Sequence, residues 1–179
     1  MSKKILVIST SLRKTSDSDT LAEQFVKGAR QAGHEVEKIR LSGKEIKFCQ
    51  GCLSCLKTNR CVIHDDADEI VQKMKDTDVL VFATPIYYYE MSGQMKTLLD
   101  RANPLYSSDY KFRSVYLIAT AAEDSVTACQ RAENGLEGWV ECFPKAHLDG
   151  VVFGGGTDER DIKQNPAMEK AFEMGKNIR

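Results

Sequence analysis

The sequence predicts a three-layer α/β domain, an open parallel sheet of five strands in the order 2-1-3-4-5 with helices on both faces. Three observations lead there. Short apolar runs alternate strictly with stretches of helical periodicity along the chain. Two of the runs, Ile5-Leu-Val-Ile8 and Val79-Leu-Val-Phe-Ala83, are continuously apolar, as strands covered on both faces are. The second strand, Glu35-Val-Glu-Lys-Ile-Arg-Leu41, mixes charge with hydrophobicity and suits a sheet edge.

After the first strand comes a hydroxyl-rich turn, then a helix with Leu21, Phe25 and Ala29 at four-residue spacing and Ala22 and Val26 beside them. Gly33 is placed to close that helix. Residues 41–66 form an irregular cysteine-bearing insertion, after which Asp65 or Asp66 caps a helix with Ala67, Ile70, Val71 and Met74 on its apolar face. Pro85 is expected to stop the third strand. A helix carrying Met95, Leu98 and Leu99 then runs to about Ala102, where Asn103-Pro104 ends it. Ser114–Thr120 is the fourth strand. A long helix from Val126 to Phe143 follows, weakened by Gly135 and Gly138. Leu148–Phe153 is the fifth strand, and Pro166 opens a last helix with Met168, Phe172 and Gly175 on one face.

The 179 residues, 42% of them hydrophobic and 28% charged, suffice for one domain with a real core, so residues 1–179 are expected to form a single unit. A net charge of −1 with no basic block argues against nucleic acid or an anionic membrane as partner. Lys3 and Lys4 precede only a four-residue apolar run, which is not a signal peptide, and nothing approaches a membrane span. A cytoplasmic protein is expected, its six cysteines reduced or ligating metal.

In such a sheet every loop after a strand emerges at one edge, and ligands bind there. Ser9 to Ser18 holds hydroxyls at Ser9, Thr10, Ser11, Thr15, Ser16 and Ser18 together with the cations Arg13 and Lys14, just before a helix start. Free N–H groups and the positive dipole end make that turn a place for an anion, a phosphate above all. Pro85-Ile-Tyr-Tyr-Tyr-Glu-Met-Ser92 can border a flat ring with its backbone and with Tyr87 or Tyr88. Thr120-Ala-Ala-Glu-Asp124 can turn the backbone at Ala121 and the Glu123 carboxylate toward a ring's polar edge. No G-x-G-x-x-G follows the first strand, so a dinucleotide fold is disfavoured.

Thr10-Ser-Leu-Arg-Lys-Thr-Ser-Asp-Ser-Asp-Thr-Leu21 resembles the G-S-P-R-x-x-G-N-[ST]-x-x-L phosphate loop of the NADPH-dependent FMN reductase and flavodoxin-like family. Ala83-Thr-Pro-Ile-Tyr87 with Ser92-Gly-Gln-Met-Lys-Thr-Leu-Leu-Asp-Arg101 is similar to its [AT]-P-[IV]-Y…S-x-x-[ML]-K-x-x-x-D-R signature. The resemblance covers roughly residues 3 to 155 and departs at Thr10 for Gly, Leu12 for Pro, Ser16 for Gly and Asp17 for Asn. It implies a flavodoxin-like fold binding FMN. Ser11, Arg13 and Ser18, followed by Asp19 and Thr20, would lie on the phosphate side, and Pro85, Ile86, Tyr87 and Tyr88 would border the isoalloxazine. NAD(P)H is the implied co-substrate, a quinone, nitro or azo compound or flavin the implied acceptor, and a homodimer or homotetramer the implied assembly. No side chain is assigned a catalytic role.

Cys49, Cys52, Cys55 and Cys61 form C-x2-C-x2-C-x5-C, far denser than chance. Sulfur ligands at such spacing suit zinc or an iron–sulfur centre. The motif resembles the compact cluster motif of iron–sulfur flavoproteins, an electron-transfer branch of the same family that hands electrons to redox proteins. A [4Fe–4S] cluster, zinc and free thiols all stay open at this level. Cys129 and Cys142 read as small hydrophobes, Lys96 and Asp100 as a surface pair, and Trp139 as either an interface anchor or a partly buried residue.

Overall fold

The computed structural model describes residues 1–179. Its strands are β1 (Lys4–Ser9), β2 (Glu35–Arg40), β3 (Val79–Tyr87), β4 (Glu90–Met91), β5 (Ser114–Thr120) and β6 (His147–Gly154). Its helices are α1 (Asp17–Gln31), α2 (Cys55–Thr58), α3 (Asp66–Lys75), α4 (Gly93–Arg101), α5 (Gln130–Glu141) and α6 (Ala167–Lys176). The sheet has six strands rather than the expected five. Its parallel path runs β2-β1-β3-β5-β6, and β4 pairs antiparallel with the end of β3.

The extra strand exists because Pro85 does not stop β3. Pairing between β1 and β3 ends at Ser9↔Ala83, so by Pro85 one side of β3 is a free edge where a missing N–H breaks no ladder bond. On the other side β3 stays paired with β5 as far as Pro85↔Thr120. The chain then reverses through Tyr88 (φ 51°) and Tyr89 (φ 66°), both left-handed, into β4. Two positive φ values at the centre of a two-residue hairpin make the turn whose twist matches its strands, though Asn-Gly is its usual sequence. Bulky residues there hold strain of order 1–3 kcal/mol each.

The core has two layers, one on each face of the sheet. One joins Leu6, Ile8, Phe82 and Leu117 to α3, α4 and α5, and the other joins Ile5, Val7, Val81 and Ile118 to α1 and α6. Trp139 is partly buried against the first layer, stacked on Phe112 with centroids 6.1 Å apart and 4.6 Å from Phe143. The long helix expected from Val126 begins instead as a 3-10 turn, Val126–Cys129, before α5. Cys129 is buried as expected, while Cys142 is exposed.

The buried stripe of α6 is Ala167, Ala171 and Gly175, not the larger Met168 and Phe172. Small residues are required because α1 and α6 touch backbone to backbone. A Cβ at Gly28 would overlap the Phe172 carbonyl, and one at Gly175 would overlap that of Phe25. Gly28→Ala therefore should destabilise the fold despite the roughly 1 kcal/mol helix-propensity gain. Urea unfolding should show a net loss of about 2 kcal/mol, since backbone cannot yield as a side chain does; a stabilised variant would contradict the close packing.

Candidate functional site

Because β1 stops at Ser9 while β3 and β5 run on, a crevice opens over the carboxyl ends of the parallel strands. It encloses about 250 Å³ and is lined by Ser11, Arg13, Ser16 and Asp17 from the loop after β1. Pro85, Ile86 and Tyr87 from β3 form a second wall. Thr120, Ala121 and Ala122 with Thr157 and Asp158 close it from the loops after β5 and β6.

A buried hydroxyl network fixes the crevice floor. Thr10 Oγ1 lies 3.0 Å from the Ala83 carbonyl and 2.9 Å from Ser92 Oγ, while the Ser92 amide donates to Thr84 Oγ1 at 3.0 Å. Ser92 Oγ also accepts from the Met95 amide at 3.3 Å and so caps α4. Thr10, Thr84 and Ser92 have no exposed surface, and the three ends they join are those of β1, β3 and α4. The hydroxyl at 10, where the resembling loop has glycine, is thereby tied into the sheet.

The structure separates the expected residues into two groups. Ser11, Arg13, Pro85, Ile86, Tyr87 and Ala121 line the crevice. Ser18 lies beneath the turn, fully buried, with its hydroxyl 3.0 Å from that of Ser16. Ser16, extended at φ −140°, is the N-cap of α1 and accepts from the Asp19 amide at 3.3 Å. Thr20 Oγ1 bonds back to the Ser16 carbonyl at 2.9 Å. Asp19 turns away to Lys38 Nζ at 2.9 Å and Arg40 Nε at 3.6 Å. Burial would raise its pKa, but Lys38, Ser9 and Arg40 outweigh that and hold it below the usual range.

Tyr88 is 98% exposed and projects from the hairpin tip, clear of the crevice. The nearby Glu123 carboxylate raises the pKa of the Tyr89 phenol, and the Arg131 guanidinium sits 6.0 Å from the Tyr89 ring centroid. Glu123 is not among the residues that line the crevice. Ser16, Asp17, Thr120, Ala122, Thr157 and Asp158 line it too; all but Asp158 lie in the strand-end segments expected at this edge, though none was singled out as a ligand contact.

The four motif cysteines surround one small cavity of about 20 Å³, together with Arg101 and Asn103. Cys49 and Cys52 are exposed, Cys55 is buried and Cys61 lies between. N–H donors point at the sulfurs: Gly51 N to Cys49 at 3.5 Å, Asn103 Nδ2 to Cys55 at 3.1 Å and Ile63 N to Cys61 at 3.5 Å. Hydrogen bonds from the Ser54 backbone and hydroxyl lower the pKa of Cys52. No three of the cysteines, histidines or acids are gathered closely enough to hold a metal ion as the loop stands. The donor set nevertheless suits a thiolate-bound centre, and Arg101 Nε, buried without a partner, is an orphan donor on the cavity wall.

Three acids at the start of α3 pin this loop. Asp65 Oδ1 accepts from Arg101 Nη2 at 2.9 Å and the Ala67 amide at 3.0 Å, and its Oδ2 from Arg101 Nη1 at 2.7 Å and the Lys47 amide at 2.8 Å. Arg101 also donates to the carbonyls of Lys47 at 2.7 Å and Ile63 at 2.9 Å, joining the two ends of the loop. Asp66 binds Lys44 and the Glu45 amide, and buried Asp68 takes Arg60 Nε at 2.9 Å. Burial works against both ions of the Asp65–Arg101 pair, yet the contacts win: Asp65 is held below its usual value and Arg101 above its own.

The chain matches the profile of the NADPH-dependent FMN reductase family over residues 3–148. An iron–sulfur flavoprotein of Methanosarcina thermophila is 28% identical over 96% of this chain and 87% of its own length. An iron–sulfur flavoprotein of Archaeoglobus fulgidus is 37% identical over 56% of this chain, and the match spans about half, 46%, of that protein. Among solved structures, an NAD(P)H:quinone oxidoreductase from Methanothermobacter marburgensis shares the fold at TM-score 0.73 and 16% identity, covering 99% of this chain and 97% of its own.

Removing one member of the buried pair should be severe. Arg101→Met leaves Asp65 charged and dry, a loss expected near 3 kcal/mol by denaturant unfolding. The native pair stabilises fully above the usual carboxylate value of 3.8 and is lost as pH falls through the depressed Asp65 value. Acid titration of stability should therefore be steeper in the native protein than in Arg101→Met; equal slopes would remove the clamp.

Proposed function

The chain belongs to the NADPH-dependent FMN reductase family, and from that premise we propose that it is an FMN-dependent oxidoreductase, taking hydride from NAD(P)H and passing electrons to a small acceptor such as a quinone, a nitro or azo compound or free flavin. The observation that carries this reading is the crevice itself, which puts a cationic, hydroxyl-rich helix start at one end and the Pro85–Tyr87 wall at the other. Bound there, FMN would supply the redox chemistry, accepting two electrons and a proton as hydride and releasing them with a further proton to the acceptor.

The chain's own residues bind and orient. Ser11 and Ser16 offer hydroxyls and Arg13 a charge to the phosphate, aided by the α1 dipole. Ser18, Asp19 and Thr20 support that turn from beneath and behind. Pro85, Ile86 and Tyr87 present a rigid apolar edge to the ring, while Thr120, Ala121 and Ala122 face its polar side.

A single domain with one such crevice gives donor and acceptor the same face in turn. Initial-rate measurements should therefore give parallel double-reciprocal lines; intersecting lines would argue for separate sites. Ser11→Ala with Arg13→Ala should weaken FMN by about tenfold or more in a fluorescence titration, and unchanged affinity would remove the phosphate assignment.

A second reading, favoured by the cysteine cavity and by the iron–sulfur flavoproteins it resembles, is a carrier that passes single electrons between redox proteins. In it Cys49, Cys52, Cys55 and Cys61 hold a [4Fe–4S] cluster. Iron, sulfide and flavin assays decide between them: yellow and iron-free protein supports the reductase, brown protein with about four irons per chain the carrier. Exposed Leu12, Phe48, Leu53 and Val62 fit association into a homodimer or homotetramer. Six free thiols fit a reducing cytoplasm, and no helix is long and apolar enough to cross a membrane.

A further inference from the structure

The anion-binding turn carries its own repulsion. Two carboxylates, Asp17 and Asp19, stand in the first turn of α1, and Asp17 lines the crevice. Acids there suit a bare helix start, but they oppose a phosphate dianion within a few ångströms. Something must offset them, and the loop's own Arg13 and Lys14 are exposed and make no ion pair.

For Asp19 the offset comes from the neighbouring strand, while Asp17 makes no ion pair. Lys38 and Arg40 alternate along β2, so both side chains fall on the same face, the one that carries α1. Lys38 Nζ reaches Asp19 at 2.9 Å and also pairs with Glu23. Arg40 divides its guanidinium between two tasks. Its Nε, buried and with no hydrogen-bond partner, lies 3.6 Å from Asp19 Oδ2. Its Nη2 donates to the Arg13 carbonyl at 2.8 Å and reaches the Lys14 carbonyl at 3.4 Å.

Those two carbonyls matter because a trans peptide points its C=O and its N–H in opposite directions. The Arg13 carbonyl shares a peptide plane with the Lys14 amide, and the Lys14 carbonyl with that of Thr15. Drawing both carbonyls onto Arg40 turns both N–H groups away from β2. Arg40 thus aligns backbone donors and neutralises Asp19 without lining the crevice.

We propose that Arg40, seconded by Lys38, is the positioning residue of the anion-binding turn: from behind it, the guanidinium orients the Arg13–Thr15 backbone and cancels Asp19, so that the crevice selects a phosphate monoester over its dephosphorylated analogue. This deepens the FMN reading above and rests on it. Selectivity for the phosphate is set as much by the edge strand as by the residues that line the crevice.

The test compares FMN with riboflavin, which carries the same ring and no phosphate, by fluorescence titration of the wild-type, Arg40→Gln, Arg40→Lys and Lys38→Met proteins. Far-UV circular dichroism and thermal unfolding accompany each titration. Arg40→Gln should lose about tenfold in FMN affinity with riboflavin affinity unchanged. Arg40→Lys keeps the charge but not the fork and should recover only part of the loss. Lys38→Met should shift FMN affinity in the same direction by less. An Arg40→Gln protein that binds FMN normally overturns the proposal, and so does an equal loss for both ligands, which marks a merely structural role. Should Arg40→Gln not fold, Arg40→Lys and Lys38→Met decide, and two folded proteins with wild-type FMN-to-riboflavin ratios overturn it. A wild-type protein that fails to prefer FMN over riboflavin is a separate result: it removes the phosphate reading of the crevice, and the proposal with it.

Discussion

The mismatch in length between two adjacent parallel strands governs this molecule. β1 leaves the sheet after Ser9, whereas β3 continues past Ala83 to Tyr87. Without a β1 partner, the last part of β3 tolerates a proline, gains an antiparallel return strand and leaves open the space over β1 that the crevice fills. The Thr10–Ser92–Thr84 hydroxyls close the mismatch from below, supplying buried polar partners where ladder bonds have ended. Were β1 and β3 equal in length, backbone pairing would seal the position where the loops now diverge.

Features that depend on local pattern were legible in the sequence. The apolar run Ile5–Ile8, the stripe of α1 and the acid cap of α3 rest on neighbours within a few residues, and each stands where periodicity put it. The crevice loops were legible at the level of topology, since a parallel sheet must deliver them to one edge. Two other features were not. The Tyr88–Tyr89 reversal lacks the Asn or Gly that marks such turns, so nothing local distinguished it from the end of a strand. The α1–α6 contact reads backwards from sequence: a helical periodicity draws attention to Met168 and Phe172, but the approach of two backbones selects the small residues Ala171 and Gly175.

The charges that matter most were the least legible, because their partners are remote in sequence. Arg101 meets Asp65 across thirty-six positions, and Arg40 reaches Arg13 across twenty-seven. Asp19 looked like a ligand for the cofactor because it sits in the turn, yet strand β2 claims it. Carboxylates near a helix start have two possible employers, the helix dipole and whatever basic side chain the neighbouring strand presents, and only the three-dimensional arrangement says which prevails. For Asp19 the neighbouring strand prevails.

The same logic bears on the cysteine loop. In small metal-dependent folds the ligands are the only crosslinks, so the fold appears with the metal and vanishes without it. Here the crosslinks are carboxylates. Asp65 spends all four of its lone-pair directions on Arg101, Lys47 and Ala67, at once capping α3 and closing the loop base, while Asp66 and Asp68 fasten Lys44, Glu45 and Arg60. Since these bonds involve no sulfur, the loop's path is determined by ions that do not change with redox state. The thiols are thereby left free: their oxidation or ligation need not unravel the loop that carries them.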